Sequence, residues 1–140
     1  MHVRSLGHVV LKVRDLRRSE AFYADTLGIS VVSRISEPAH MTFFTLGHHH
    51  DLALIELGGD AAPADPGATG LAHVAFEVGG SVSDLRAAKA ELESAGVAIQ
   101  HERSSGFAES IHVLDPDANE VELYVDVSTS RRRKDTTRAS

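Results

Sequence analysis

The 140-residue sequence predicts an α+β fold in which two βαβββ modules pair into one curved sheet or half-open β-barrel. Three observations predict it. The pattern of one strand, one helix and three strands occurs twice. GHVVLKV at 7–13 matches AHVAFEV at 72–78, and LGISVV after the first helix matches AGVAIQ after the second. Between the two runs lies GGDAAPADPGATG, residues 58–70, a linker by composition. Neither module buries its sheet face alone, so the two belong to one domain, 1–127, with modules 5–58 and 70–127.

The elements follow in order. Residues 6–13 alternate as a strand, with Leu6, His8, Val10 and Lys12 on one face and Gly7, Val9, Leu11 and Val13 on the other. Asp15 suits the N-cap of a helix running to Leu27, with Leu16, Phe22, Tyr23 and Leu27 as its apolar side. Gly28 stands where a left-handed residue ends it. Strands are expected at 29–35, 40–46 and 50–57, with Pro38 and Gly47 in the breaks. In the second module a strand at 71–78 precedes a helix capped by Ser81 or Ser83, carrying Leu85, Ala88 and Leu92 and closed by Gly96. Strands at 97–101, 107–114 and 120–127 complete it. In the last, Glu120, Glu122, Tyr124 and Asp126 oppose Val121, Leu123 and Val125.

Composition narrows the function. Hydrophobic residues make up 42% and charged residues 24%, a globular balance. There is no cysteine, which excludes disulfides, thiolate metal sites and a Cys nucleophile. No apolar run approaches the ~20 residues of a membrane span, and MHVRSLGHVVLKV does not read as a signal peptide, so a cytoplasmic protein is expected. The net charge of −6 is uneven: residues 128–140 hold five basic residues and one acidic, leaving 9 basic and 19 acidic, or −10, in the first 127. An acidic body does not suit nucleic acid, and the basic tail reads as a disordered terminus. The expected partner is a small-molecule substrate, with neither nucleic acid nor membrane.

The repeat aligns chemistry as well as apolar residues. His8 and His73 take the same place in the first strand of each module. Glu56 and Glu122, 48 and 49 residues further on, fall in the last strand of each. Taken singly, each is an ordinary half-exposed strand residue. Four at symmetry-related positions, on the face away from the greasy one, argue for a divalent-metal site without sulfur, suited to Fe(II), Mn, Ni, Co or Zn. His50, in HHHDLALIEL, alternates onto the face of Leu52, Leu54 and Glu56. It lies about 20 Å from Glu56 along the strand, too far to share a metal with it, but suits a general base above one. His48 and His49 read as polar loop.

The segments GHVVLKVRDLRRSEAFYADTLG, GLAHVAFEV and DPDANEVELYVD together resemble the vicinal oxygen chelate superfamily of glyoxalase I, bleomycin-resistance proteins and extradiol dioxygenases, over residues 6–127. The resemblance implies a cupped barrel of paired modules with helices outside, around a metal, usually within a homodimer. It implies that His8, His73 and Glu122 are metal ligands, that Glu56 matches the fourth ligand of glyoxalase I, and that His50 matches the acid/base His of extradiol dioxygenases. Ser105 stands where the dioxygenase branch usually has a His, His112 where it usually has a Tyr that meets substrate, and Ala118 where the turn usually has Gly.

The reading that follows is an extradiol-type dioxygenase on a catecholic substrate, with Fe(II) or Mn(II) on His8, His73 and Glu122, His50 as proton shuttle and His112 orienting substrate. One alternative is a glyoxalase I-type lyase or isomerase on a hemithioacetal, with Ni, Co or Zn on those three plus Glu56; a ligating Glu56 favours it and a free or outward one the dioxygenase. A drug-sequestering resistance protein is the alternative of another class, and needs an aromatic groove that seven aromatic residues hardly furnish. The sequence leaves open the substrate, the metal, and whether the modules pair within the chain or across a dimer.

Overall fold

A computed structural model describes residues 1–128 and shows two compact units that divide between Ala64 and Asp65, inside the Gly/Pro/Ala/Asp stretch. The expectation for the basic tail falls, from residue 129, outside the described residues. No helix among the described residues is long and apolar enough to cross a membrane.

The first unit runs β1 (Val9–Val13), α1 (Leu16–Glu20), β2 (Ser30–Ile35), β3 (Met41–Thr45) and β4 (Leu52–Glu56), in sheet order β1-β4-β3-β2. The second runs β5 (Val74–Gly79), α2 (Val82–Ser94), β6 (His101–Ser104), β7 (Ala108–Leu114) and β8 (Glu120–Asp126), in order β5-β8-β7-β6. The βαβββ repeat and the α+β class are therefore as the sequence predicts. The sheets are two separate four-stranded sheets, not closed into a barrel by hydrogen bonds.

In each unit the first strand pairs in parallel with the last, and the other pairs are antiparallel. Asp15 caps α1 by accepting from the Arg18 N–H at 3.0 Å. The chain then widens into a π-type turn, Ala21–Thr26, where the Leu27 N–H bonds the Phe22 carbonyl. This turns Phe22 and Tyr23 inward to pack edge-on, with Tyr23 against Phe44. Leu11, Val13, Leu52 and Leu54 fill the rest of the core. In the second unit Ser81, of the two candidate caps, forms a capping box with Asp84. Leu85 and Leu92 are buried on α2, as are Ile111, Val113, Val121, Leu123 and Val125 on one face of the sheet.

Several boundaries differ from the sequence reading. β1 and β5 begin at Val9 and Val74, three residues later than expected, so His8 and His73 each stand just before a strand. The expected strand at 97–101 begins only at His101. The Val97 N–H instead closes the helix end on the Leu92 carbonyl at 2.9 Å, so the apolar alternation of Val97 and Ile99 belongs to a return segment. β4 begins at Leu52, because Asp51 makes a tight turn: its carboxylate accepts the Leu46 N–H at 2.6 Å and contacts the His48 ring at 2.9 Å.

Candidate metal centre

Strand register decides which side chains share a face. In the second unit Ala75 lies opposite Glu122, and Val74 opposite Val121. Val121 and its alternates are buried, so Glu122 projects from the other side of the sheet, and His73, two residues before Ala75, shares that side. The side chains meet: His73 Nε2 is 3.0 Å from Glu122 Oε2, with 40% and 20% of their side-chain surfaces exposed.

The loop before β8 fixes where that carboxylate starts. Asp115 accepts from the Asp117 and Asn119 N–H groups at 2.8 Å each, and from the Asn119 side-chain amide at 2.9 Å. Ala118, within this turn, has φ 66°, the left-handed conformation that a glycine would adopt without penalty.

In the first unit Val10 lies opposite Ala53, so His8 shares its face with Val10, Lys12 and Ala53. Its ring centroid is 4.5 Å from that of His50, and Phe43 stands edge-on to His50 at 5.5 Å. His50 precedes β4, and its ring lies beside His8 and Phe43. This departs from the expected strand alternation, which put it with Leu52, Leu54 and Glu56; the turn at Asp51 breaks the alternation. Burial lowers the pKa of His50, the neighbouring His49 and His8 lower it further, and Asp51 opposes them.

Glu56 is not brought to His8. It lies opposite Val13, on the face that holds Leu11, Leu52 and Leu54, and its Oε1 accepts the Leu16 N–H at 3.0 Å at the start of α1. Counting residues from His8 made Glu56 the partner of Glu122. The ladders show otherwise: Ala53 stands in module 1 where Glu122 stands in module 2, because the loops of the first module are four residues shorter over that span (8 to 53 against 73 to 122). Within the first unit, Glu56 therefore stands on the opposite face of the sheet from His8.

A family model for the glyoxalase/bleomycin resistance protein/dioxygenase superfamily matches residues 5–123. The chain belongs to this superfamily. Its members differ widely in what they do with the shared scaffold. The chain is 34% identical over 122 residues to biphenyl-2,3-diol 1,2-dioxygenase 3 of Rhodococcus globerulus, covering 86% of this chain but only 63% of that protein. It is 32% identical over 125 residues to glutathione transferase FosA of Serratia marcescens, covering 88% and 82%. Among solved structures, a glyoxylase/bleomycin resistance protein/dioxygenase domain from Frankia sp. EAN1pec superposes with a TM-score of 0.78 at 25% identity, over 89% of this chain and 99% of that one.

The donors fit the divalent ion such a superfamily member would hold. Metal–ligand bonds of about 2.0–2.2 Å place neighbouring donors about 3 Å apart, and His73 and Glu122 already stand 3.0 Å apart with an accessible side. His112 is placed differently from the sequence expectation. It is 1% exposed, with Nε2 3.3 Å from Ser110 Oγ and 3.7 Å from Glu122 Oε1, so it backs Glu122 and does not face an open cleft. Its Nδ1 is 2.6 Å from Glu120 Oε1. Ser110, Glu120 and His101 are neighbours of the site that sequence reasoning missed. The available signal was register: once β6 is placed, His101 falls opposite His112, and His112 opposite Glu122.

Proposed function

We propose that this protein is a metal-dependent enzyme of the ring-cleaving dioxygenase branch. In this reading His8, His73 and Glu122 hold Fe(II) or Mn(II) and a catecholic substrate approaches through two neighbouring oxygens. The observation that carries it is the placement of Glu56 against α1, on the face opposite His8. A glyoxalase-type centre needs a fourth protein donor; three leave positions free for a bidentate substrate.

The ion, when bound, supplies Lewis acidity and a template for the two substrate oxygens. The protein supplies the rest. His50 accepts the proton of a substrate hydroxyl on a ring nitrogen; its lowered pKa keeps the imidazole neutral, and thus a base, at neutral pH. Phe43 fixes the plane of that ring by edge contact. His112 and Ser110 act as positioning residues behind Glu122.

A second reading has one observation in its favour, the match to FosA over 82% of that protein's length. The same three donors would then orient a small oxygen-bearing electrophile for attack by the glutathione thiol.

The test is anaerobic reconstitution with Fe(II), then a catechol panel in air, followed by oxygen uptake and the absorbance of the ring-opened product. Parallel assays use Mn(II) with glutathione and a small epoxide, and Ni(II) with methylglyoxal and glutathione. Oxygen uptake matching catechol loss is expected. Thiol consumption with catechols untouched would replace the dioxygenase reading with a transferase or lyase one.

A further inference from the structure

The sheet of the second unit carries more donors than the proposed centre uses. His101 begins β6 opposite His112 on β7, and Glu120 begins β8 one diagonal step from His112, opposite Leu114. The two imidazoles stack with centroids 4.1 Å apart and planes 21° apart. Both reach the same carboxylate oxygen: His112 Nδ1 at 2.6 Å and His101 Nε2 at 3.7 Å from Glu120 Oε1. One donor atom from each of the three residues lies within 4.8 Å of the others.

One feature of this cluster lacks an explanation as a plain hydrogen-bond network. His101 Nε2 is shielded from solvent and has no hydrogen-bond partner, although its ring is 39% exposed at the side-chain level. Buried polar atoms are nearly always satisfied, and an exception calls for a water, an ion or a ligand. A cation beside Glu120 Oε1 would satisfy it.

We propose that His101, His112 and Glu120 form a second divalent-cation site, distinct from the His73–Glu122 pair and contained within the second unit. Two imidazoles and a carboxylate, without sulfur, suit a borderline ion such as Zn(II), Co(II) or Ni(II) over Mg(II) or Ca(II). Bonds of about 2.0–2.2 Å separate neighbouring donors by about 3 Å. The present separations of 2.6 and 3.7 Å bracket that value, so small side-chain rotations complete the set. Three strands of one ladder supply the donors, which leaves little backbone freedom to lose on binding.

Occupancy has a structural consequence. A cation on His112 Nδ1 leaves the proton on Nε2, the atom facing Ser110 Oγ and Glu122 Oε1. The imidazole would then be the ligand of one ion and the donor behind the carboxylate of the other centre, the usual arrangement by which an outer partner orients a ligand. The existence of the site does not depend on the dioxygenase reading.

The test uses Zn(II) alone, on the full chain carrying His73→Ala and Glu122→Ala so that the first centre is removed. One equivalent of zinc is expected to bind and to shift the ring resonances of His101 and His112 in imidazole NMR spectra. Adding His101→Ala or Glu120→Gln, both partly exposed positions, should weaken binding at least tenfold while circular dichroism and melting confirm the fold. Zinc that leaves both rings unmoved, or that moves only His48, His49 and His50, overturns the proposal. So does affinity unchanged in both variants. In the otherwise native chain two zinc ions support both centres, and one ion on His101 and His112 supports this site while removing the other.

Discussion

The two modules share a topology and differ in chemistry. Each pairs its first strand in parallel with its last, and each packs one face on its helical segment. On the other face module 2 gathers His73, Glu122, His112, Glu120 and His101, whereas at the place of Glu122 module 1 has Ala53. His8 has a second imidazole, His50, for company, and no carboxylate contact with its ring is seen among the described residues. The duplicated scaffold thus provides two equivalent platforms, and the side chains load only one of them with anionic donors. A repeat predicts where donors can stand; it does not predict that both copies use them.

The largest expected effect comes from emptying the loaded module. Glu122→Ala should abolish stoichiometric metal binding at the proposed centre, a loss beyond the ~10–100-fold that removing an outer partner costs. Elemental analysis after dialysis checks it, and unchanged metal content would remove Glu122 from the ligand set.

The opposite experiment loads the poor module. Ala53→Glu places a carboxylate beside His8 on the same face and should raise the affinity for Ni(II), measured by competition with a chelator. Because Ala53 is fully buried, the substitution should also lower stability by about 1–3 kcal/mol through overpacking and a buried charge. An affinity no higher than that of the unaltered chain would show that the two platforms are not equivalent.

Glu56→Gln sharpens the distinction between a ligand and a cap. A glutamine still offers an oxygen to the Leu16 N–H but loses the charge at the start of α1, so about 0.5–1 kcal/mol of stability should go, read from denaturant unfolding, with metal content unchanged. Loss of metal in this variant would restore the four-donor centre.

The smallest effect concerns the face of module 1 that lies away from His8. Glu20 bonds the Arg34 guanidinium at 2.6 Å and the Thr42 hydroxyl at 2.7 Å, and the Arg34 bond is the main reason its pKa falls below 4.5. A depressed folded-state pKa contributes stability that is present above the unfolded value and lost as pH falls through the folded one. Glu20→Gln should therefore cost at most about 1 kcal/mol at neutral pH, since Arg34 is largely exposed, and nothing well below pH 4. A difference that persists in acid would assign the effect to Thr42 packing.

How much of this was legible without coordinates depends on what each residue's position rests on. The cap at Asp15, the cap at Ser81 (one of two serines the sequence offers), and the alternation of β8 follow from local patterns, and the structure has them in place. The approach of His73 to Glu122 was legible because β5 and β8 pair in regular parallel register at Val74 and Val121, directly beside both residues. The faces expected for Glu56 and His50 differ from those observed for one physical reason. Facing depends on pairing register and on where a turn ends, and a count of residues along the chain carries neither. Ala53, not Glu56, occupies the shared place, and Asp51 swings His50 across to His8. His101 was missed because its strand, HERS, has no apolar alternation to announce it.

Ala118 offers a way to make the protein easier to alter. Its left-handed backbone is unfavourable for any residue with a Cβ, so Ala118→Gly should relieve roughly 1 kcal/mol of strain at the turn that leads into Glu120 and Glu122. That margin matches the lower end of what a substitution such as Ala53→Glu takes away. A chain carrying the glycine should therefore tolerate redesign of its donor set at temperatures where the parent begins to unfold, which makes residue 118 the natural first step for any engineered variant of this scaffold.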